Sequence, residues 1–161
     1  MSKETFQQNI THPKDPGSAL THFIGAILVI LAALPLLTRA IRGEHPLYIV
    51  SLCIFAASMF LLYSASTIYH TFNLSEKINR RLRKMDHMMI YVLIAGTYTP
   101  ICLIALQGAS GSFLFLLVWG LLFLASSSAS FLSTVQSGFL PCFILLWAGC
   151  VSFPLMTLPH C

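Results

Sequence analysis

The sequence predicts an all-α protein, a polytopic transmembrane bundle of about five helices. Of its 161 residues, 57% are apolar and only 9% are charged, and the mean hydropathy is +0.81. A soluble domain carries about 25% charged residues. At about 20 apolar residues per crossing, the length accommodates roughly five helices joined by short loops. The net charge of +4 comes from residues beside the apolar segments, a placement that sets membrane topology and does not indicate nucleic-acid binding.

Short polar segments divide the chain into a tail and five predicted spans. Residues 1–17 are polar and predict a cytoplasmic tail, and residues 18–161 predict the transmembrane domain. Arg39 and Arg42 can extend to the interface at the end of the first span. A turn before Pro46 leads into the second span, and a Gly/Ser turn at 107–112 precedes the fourth. The predicted spans are residues 18–39, 47–70, 87–106, 113–132 and 138–158.

The connector between the second and third spans is strongly basic. Ser75 suits the N-cap of a helix, and Glu76 suits the positive end of the helix that follows. Apolar residues recur on one stripe of this segment, and basic residues occupy the other faces: Ile78, Leu82 and Met85 against Lys77, Arg80, Arg81, Arg83 and Lys84. This pattern predicts a short interfacial helix lying on anionic headgroups.

The same charges predict the orientation in the cell membrane. The positive-inside rule places the basic connector in the cytoplasm, and alternation then places the N-terminus there too. Arg39 and Arg42 fall outside and oppose this assignment, offset only partly by Glu44. No Lys, Arg, Asp or Glu follows Asp86, so charge does not determine the later spans.

Candidate chemistry begins at His70 and Asp86, which the short connector returns to the same membrane face. Neutral imidazole is a good zinc ligand, and a carboxylate can bind the metal or orient its water. Ser66 precedes His70 by one helical turn and lies on the same face. One His and one Asp also fit interfacial residues with structural partners, and both interpretations stay open.

The remaining polar and breaking residues add little to a metal site. His22 begins the first span on the same side, whereas His87 lies about 100° around the helix from Asp86. No cysteine pair has metal or disulfide spacing, and buried free cysteines behave as small hydrophobes. Gly96 and Pro100 predict a kink or break in the third helix. The other histidines lie in the tail, in a turn and beside the C-terminus on the opposite face: His12, His45 and His160.

Three motifs identify a resemblance. They are S-A-L-T-H-F-I-G (Ser18–Gly25), S-T-I-Y-H (Ser66–His70) and D-H-M-M-I-Y-V-L-I-A-G-T-Y-T-P (Asp86–Pro100). They resemble the hemolysin III family, part of the wider progestin and adipoQ receptor group of seven-helix membrane proteins. The resemblance covers residues 15–125.

The resemblance implies a zinc ion near the cytoplasmic ends of the helices. The histidine of S-x-x-x-H, here His70, is then a direct ligand, and Ser66 lies beside the site. The third-helix aspartate, here Asp86, holds water at the metal and is the implied catalytic and metal-site carboxylate. His22 is either a second group near the zinc or a plain interfacial histidine.

The sequence departs from the family at its C-terminal end. The family completes the zinc site with an H-x-x-x-H pair on the seventh helix, and this sequence contains no H-x-x-x-H. We therefore expect weak zinc retention or none, which argues against activity. A truncated or frameshifted product that retains the first helices is the favoured explanation, and a partner that supplies the remaining helices is the alternative.

Three functional classes follow from the resemblance. The first is a zinc-dependent membrane hydrolase of lipid amides or esters. The second is a receptor-like or membrane-homeostasis protein with structural zinc, and the third is a cytolytic pore-forming hemolysin. A non-functional fragment is the further alternative. Membrane lipids are the expected partners, with a lipid as candidate substrate; nucleic acid is not expected, and the oligomeric state stays open.

Overall fold

A computed structural model describes residues 13–43, 45–106 and 108–127. The described chain folds into four α-helices and one π-helical turn: α1 Pro16–Arg42, α2 Pro46–Thr71, α3 Glu76–Pro100, the π turn Ile101–Ala105, and α4 Ala109–Ser127. α1, α2 and the segment from Glu76 to Ala105 are each long and apolar enough to cross a membrane. The predicted all-α membrane bundle is confirmed, and α2 packs between α1 and α3.

Helix α1 begins earlier than the predicted span. Asp15 is its N-cap: its carboxylate accepts from the Ser18 backbone N–H at 3.4 Å and from the Ser18 hydroxyl at 2.6 Å. Pro16 occupies the first helical position, where its missing N–H is not needed. Pro16 and Gly17, predicted to belong to the tail, are therefore helical. At the other end, the Gly43 N–H closes the helix on the Arg39 carbonyl.

The predicted interfacial helix is not a separate element. α3 runs without interruption from Glu76 to Pro100, so the basic turns and the apolar span form one helix. The physical reason is that no glycine or proline lies between Glu76 and the middle of the span. Ser75 occupies the N-cap position without a side-chain capping bond, and the Asn79 carboxamide instead accepts from the Leu74 N–H at 2.9 Å.

At Pro100, where the sequence predicts a kink or break, the helix changes its type. The α-helical hydrogen-bond pattern ends there, and the chain continues as a π turn, because proline offers no backbone N–H. Gly108, with φ at +86°, then turns the chain into α4. α4 begins at Ala109, within the predicted Gly/Ser turn. The predicted fifth span, residues 138–158, lies outside the described residues.

Small side chains bring α2 and α3 close together. Ser51, Ser58 and Ala65 are buried on α2 at seven-residue intervals, and they form one packing seam. On α3, Gly96 lies against Ser58 so closely that an added Cβ would fall 2.6 Å from the Ser58 Cβ. Hydroxyls that face this seam bond to their own helices, as Ser58 does to the Phe55 carbonyl at 2.7 Å.

A polar contact joins α4 to α3. The Trp119 indole N–H donates to the Thr99 hydroxyl at 3.2 Å, and Thr99 in turn donates to the Ala95 carbonyl at 2.9 Å. Thr99 is fully buried. The two hydrogen bonds satisfy its hydroxyl at a fully buried position, and they hold α4 at a defined position beside α3.

Candidate functional site

The start of α1 and the end of α2 meet at one end of the bundle, which we call the His70 end. The Asp15 backbone N–H donates to the His70 carbonyl at 3.1 Å. This bond satisfies one of the carbonyls that a helix C-terminus leaves without an intrahelical partner. After four connector residues, α3 begins at the same end. The topology therefore places the polar residues of three helices at one membrane face.

His70 is half-buried and lies among other rings. Its ring stacks on that of His22, with centroids 5.7 Å apart and planes 3° from parallel. The Tyr69 ring meets it edge-on at 4.9 Å. His22 also contacts Tyr63 of α2, at a centroid distance of 5.9 Å. The structure thus places the His22 ring beside that of His70.

A carboxylate faces the imidazole of His70. Asp15 Oδ2 lies 3.6 Å from His70 Nδ1. The hydroxyl and backbone N–H of Ser18 lower the pKa of the Asp15 carboxyl from its ordinary value, and His70 adds to this effect. In the neutral imidazole, an ionised carboxylate at this position favours the proton on Nδ1, which leaves the lone pair on Nε2. This is the tautomer that binds a metal through Nε2.

Two buried polar atoms lack hydrogen-bond partners within the described residues. They are His22 Nδ1 in the second turn of α1 and Asp86 Oδ1 in the third turn of α3. A buried polar group without a partner costs about 1–3 kcal/mol. Atoms of this kind are the ones that a bound ion or an ordered water would satisfy.

The other predicted site residues are placed as follows. Ser66 is buried on α2, one turn before His70. No hydrogen bond or ion pair in the described part of the chain joins Asp86 to His70 or Ser66. His87 is engaged with its own helix, since its Nδ1 donates to the Arg83 carbonyl at 2.6 Å. His45 lies at the opposite end of the bundle, at the start of α2.

The described residues do not assemble a complete metal site. Among residues 13–43, 45–106 and 108–127, no group of three His, Cys, Asp or Glu side chains is placed to hold a metal ion. Zinc sites normally use three or four protein ligands. His70, His22 and Asp86 have the right donor chemistry, and the unpartnered atoms of His22 and Asp86 fit a metal or its water.

Sequence reasoning missed Asp15, which it placed in the polar tail. The signal was present in D-P-G-S: an N-cap residue, a proline at the first helical position, and a hydroxyl that can bond back to the cap. That pattern predicts a helix start at Asp15. It does not predict the contact with His70, because that contact depends on how α1 and α2 align.

Comparisons with known proteins give a consistent result. A family model described as Haemolysin-III related matches residues 10–161. Hemolysin-3 of Bacillus cereus is 41% identical over 104 residues, which is 65% of this chain and 47% of that protein. The Hemolysin-3 homolog of Bacillus subtilis (strain 168) is 42% identical over 111 residues, 69% of this chain and 52% of that protein. The chain thus spans about half the length of the curated relatives it matches. No solved structure matches.

Proposed function

The chain belongs to the haemolysin III family, and from that premise we propose that it is a multi-pass cell-membrane protein with a partial zinc site at its cytoplasmic face. His70 is the zinc ligand in this proposal, and Asp86 is the carboxylate that holds and activates water. The observation that carries it is the pair of buried, unpartnered polar atoms on His22 and Asp86 at the end where His70 lies.

Each residue has a defined part in the proposed site. A zinc ion, when bound, supplies Lewis acidity that lowers the pKa of water to about 7. His70 would offer Nε2 to the metal, and the Asp15 carboxylate, 3.6 Å from Nδ1, would favour the proton on that nitrogen. Asp86 presents Oδ1 to water and accepts its proton as general base. Ser66, one turn from His70, offers a hydroxyl beside the site. The apolar surroundings favour a lipid amide or ester as substrate.

Hydrolysis of labelled lipids tests this function directly. We expect the zinc-loaded protein in liposomes to release fatty acid slowly from a labelled ceramide or phospholipid, because fewer than three ligands are assembled within the described residues. Asp86→Asn keeps the side-chain volume and removes the base, so we expect the rate to fall about 100-fold or more. Product is measured by chromatography, with His45→Gln as the control. Equal rates in Asp86→Asn and the parent would show that Asp86 has no part in the reaction. If the parent gave no product, hydrolysis would be excluded, and the receptor-like role with structural zinc would remain.

The proposed orientation has its own test. The basic first turns of α3 favour a cytoplasmic connector and therefore a cytoplasmic N-terminus. We expect alkaline phosphatase fused after Ser75 to be inactive and the same enzyme fused after Gly43 to be active, because phosphatase folds only outside the cytoplasm. Green fluorescent protein at the same two positions should give the opposite pattern. Active phosphatase at Ser75 would reverse the topology and place His70 on the outer face.

Membrane permeabilisation is the second candidate, because both relatives carry the word hemolysin in their names. The described helices give it little support. The hydroxyls of α2 at Ser51, Ser58 and Ser66 are buried between helices and do not line an open face. Liposomes that keep an enclosed dye at high protein loading would exclude a pore formed by this chain.

A further inference from the structure

Two cations from different segments converge on one tyrosine at the His70 end. Lys14, just before α1, places its Nζ 4.0 Å from the centroid of the Tyr69 ring. Arg83, in the second turn of α3, donates from Nε to the Tyr69 hydroxyl at 3.2 Å. Tyr69 itself lies in the last turn of α2. Three segments that are distant in sequence therefore build one small, positively charged surface, which we call the Lys14–Arg83 site.

The positive charge of this site is not neutralised within the described residues. Neither Lys14 nor Arg83 forms an ion pair with a described carboxylate. Among the acids at this end, Asp15 bonds to Ser18 and faces His70, and Glu76 pairs with Arg80 at 2.9 Å. Asp86 lies one turn after Arg83 on α3, and the described residues show no ion pair between the two. Two cations held at one tyrosine, Lys14 over its ring and Arg83 at its hydroxyl, repel each other, and an anion bound to both would relieve that repulsion.

The position of the site indicates the source of the anion. All of its members lie at the level where the apolar helix α1 begins and the apolar helix α2 ends, which is the level of the lipid headgroups. Tyrosine is favoured there because its ring is apolar and its hydroxyl is polar. Further basic residues lie in the neighbouring turns of α3: Lys77, Arg81 and Lys84.

We propose that Lys14, Tyr69 and Arg83 form a binding site for the phosphate group of an anionic phospholipid. The guanidinium of Arg83 offers planar N–H donors that suit phosphate oxygens, and Lys14 supplies a mobile point charge. The Tyr69 ring sets the distance between the two cations. The acyl chains of such a lipid would lie along the apolar helices. This site needs no metal, so the proposal is independent of the proposed zinc function.

Native mass spectrometry of the delipidated protein tests the site. The full chain, in a non-ionic detergent, is mixed with equal amounts of phosphatidylglycerol and phosphatidylcholine of matched acyl chains. We expect adducts mainly with phosphatidylglycerol. Lys14→Gln and Arg83→Gln should each weaken that binding about fivefold, and the double variant should weaken it further. Tyr69→Phe keeps the ring against Lys14 and removes the acceptor for Arg83, so it should reproduce part of the Arg83→Gln loss.

Matched controls separate this site from general charge attraction. Arg42→Gln removes an exposed cation at the opposite end of α1, and Arg80→Gln removes one that is already paired with Glu76. Both should bind phosphatidylglycerol as the parent does. Equal binding of the two lipids, unchanged binding in Arg83→Gln, or an equal loss in Arg42→Gln would overturn the proposal. Displacement of the lipid by inorganic phosphate would assign the site to a soluble anion and overturn its assignment to lipid.

Discussion

Gly96→Ala is expected to separate α2 from α3 and to lower the free energy of unfolding by about 3 kcal/mol. The added Cβ would lie 2.6 Å from the Ser58 Cβ and closer still to its hydroxyl, so the two helices must move apart. In a membrane this contact matters more than a hydrophobic one, because helix association there depends on close packing of small residues. Unfolding of the purified protein in mixed micelles, followed by tryptophan fluorescence, measures the loss.

Two companion variants identify the cause of that loss. Ser58→Gly removes the two atoms that the new Cβ would clash with and leaves only the Ile54 carbonyl oxygen, at an ordinary contact distance of 3.5 Å. The double variant Gly96→Ala with Ser58→Gly should therefore recover most of the stability. Gly120→Ala is the matched control in α4, where a Cβ meets nothing within 4 Å. It should be neutral or slightly stabilising, because alanine favours the helix more than glycine does. A Gly96→Ala protein as stable as the parent would contradict the close packing.

His70→Ala is expected to reduce the zinc affinity about 100-fold or more, since the loss of a ligand exceeds the loss of a residue that only orients one. We expect the parent to bind zinc weakly, because the described part of the chain does not assemble three ligands. Competition with a chromophoric chelator measures both affinities in detergent. His70→Ala also leaves the packing seam of α2 untouched, so helicity should be preserved.

The controls for the metal experiment come from the same chain. His45→Ala removes an exposed histidine from the opposite end of the bundle and should leave zinc affinity unchanged. His22→Ala removes the ring that stacks on His70 and should have an intermediate effect. Asp15→Asn keeps the helix cap and removes the charge that orients His70, so its effect should also be smaller than that of His70→Ala. Equal zinc binding in His70→Ala and the parent would end the ligand assignment.

The fold class could be predicted from the sequence because apolar length is a property of contiguous residues. The helix boundaries were harder to predict, since they depend on capping residues and on the absence of helix-breaking glycine and proline. Asp15 and Pro16 start α1 inside the predicted tail, and the lack of a breaker after Glu76 joins the basic turns to α3. The position of the break at Pro100 was predicted, but its π-helical form was not.

Only part of the candidate site could be predicted from the sequence. His70, Ser66 and Asp86 were singled out by their pattern and by the family resemblance, and their roles stay predictions. The stacking of His22 on His70 and the contact of Asp15 with His70 depend on the axial alignment of α1 and α2. That alignment is set by packing, for example of Gly25 against the Tyr63 ring, where an added Cβ would lie 2.9 Å from the ring. No local pattern encodes it.

The backbone bond from Asp15 to His70 has a consequence for biogenesis. It joins the start of α1 to the last turn of α2, and the contacts that close this pair, including Gly25 on Tyr63, all lie within residues 15–70. A helical hairpin of this kind can therefore close during translation, before the ribosome has released α3. The positively charged first turns of α3 would then follow a finished two-helix unit. Retention of those charges on the side of the membrane where the ribosome lies would anchor the unit while the remaining chain is inserted.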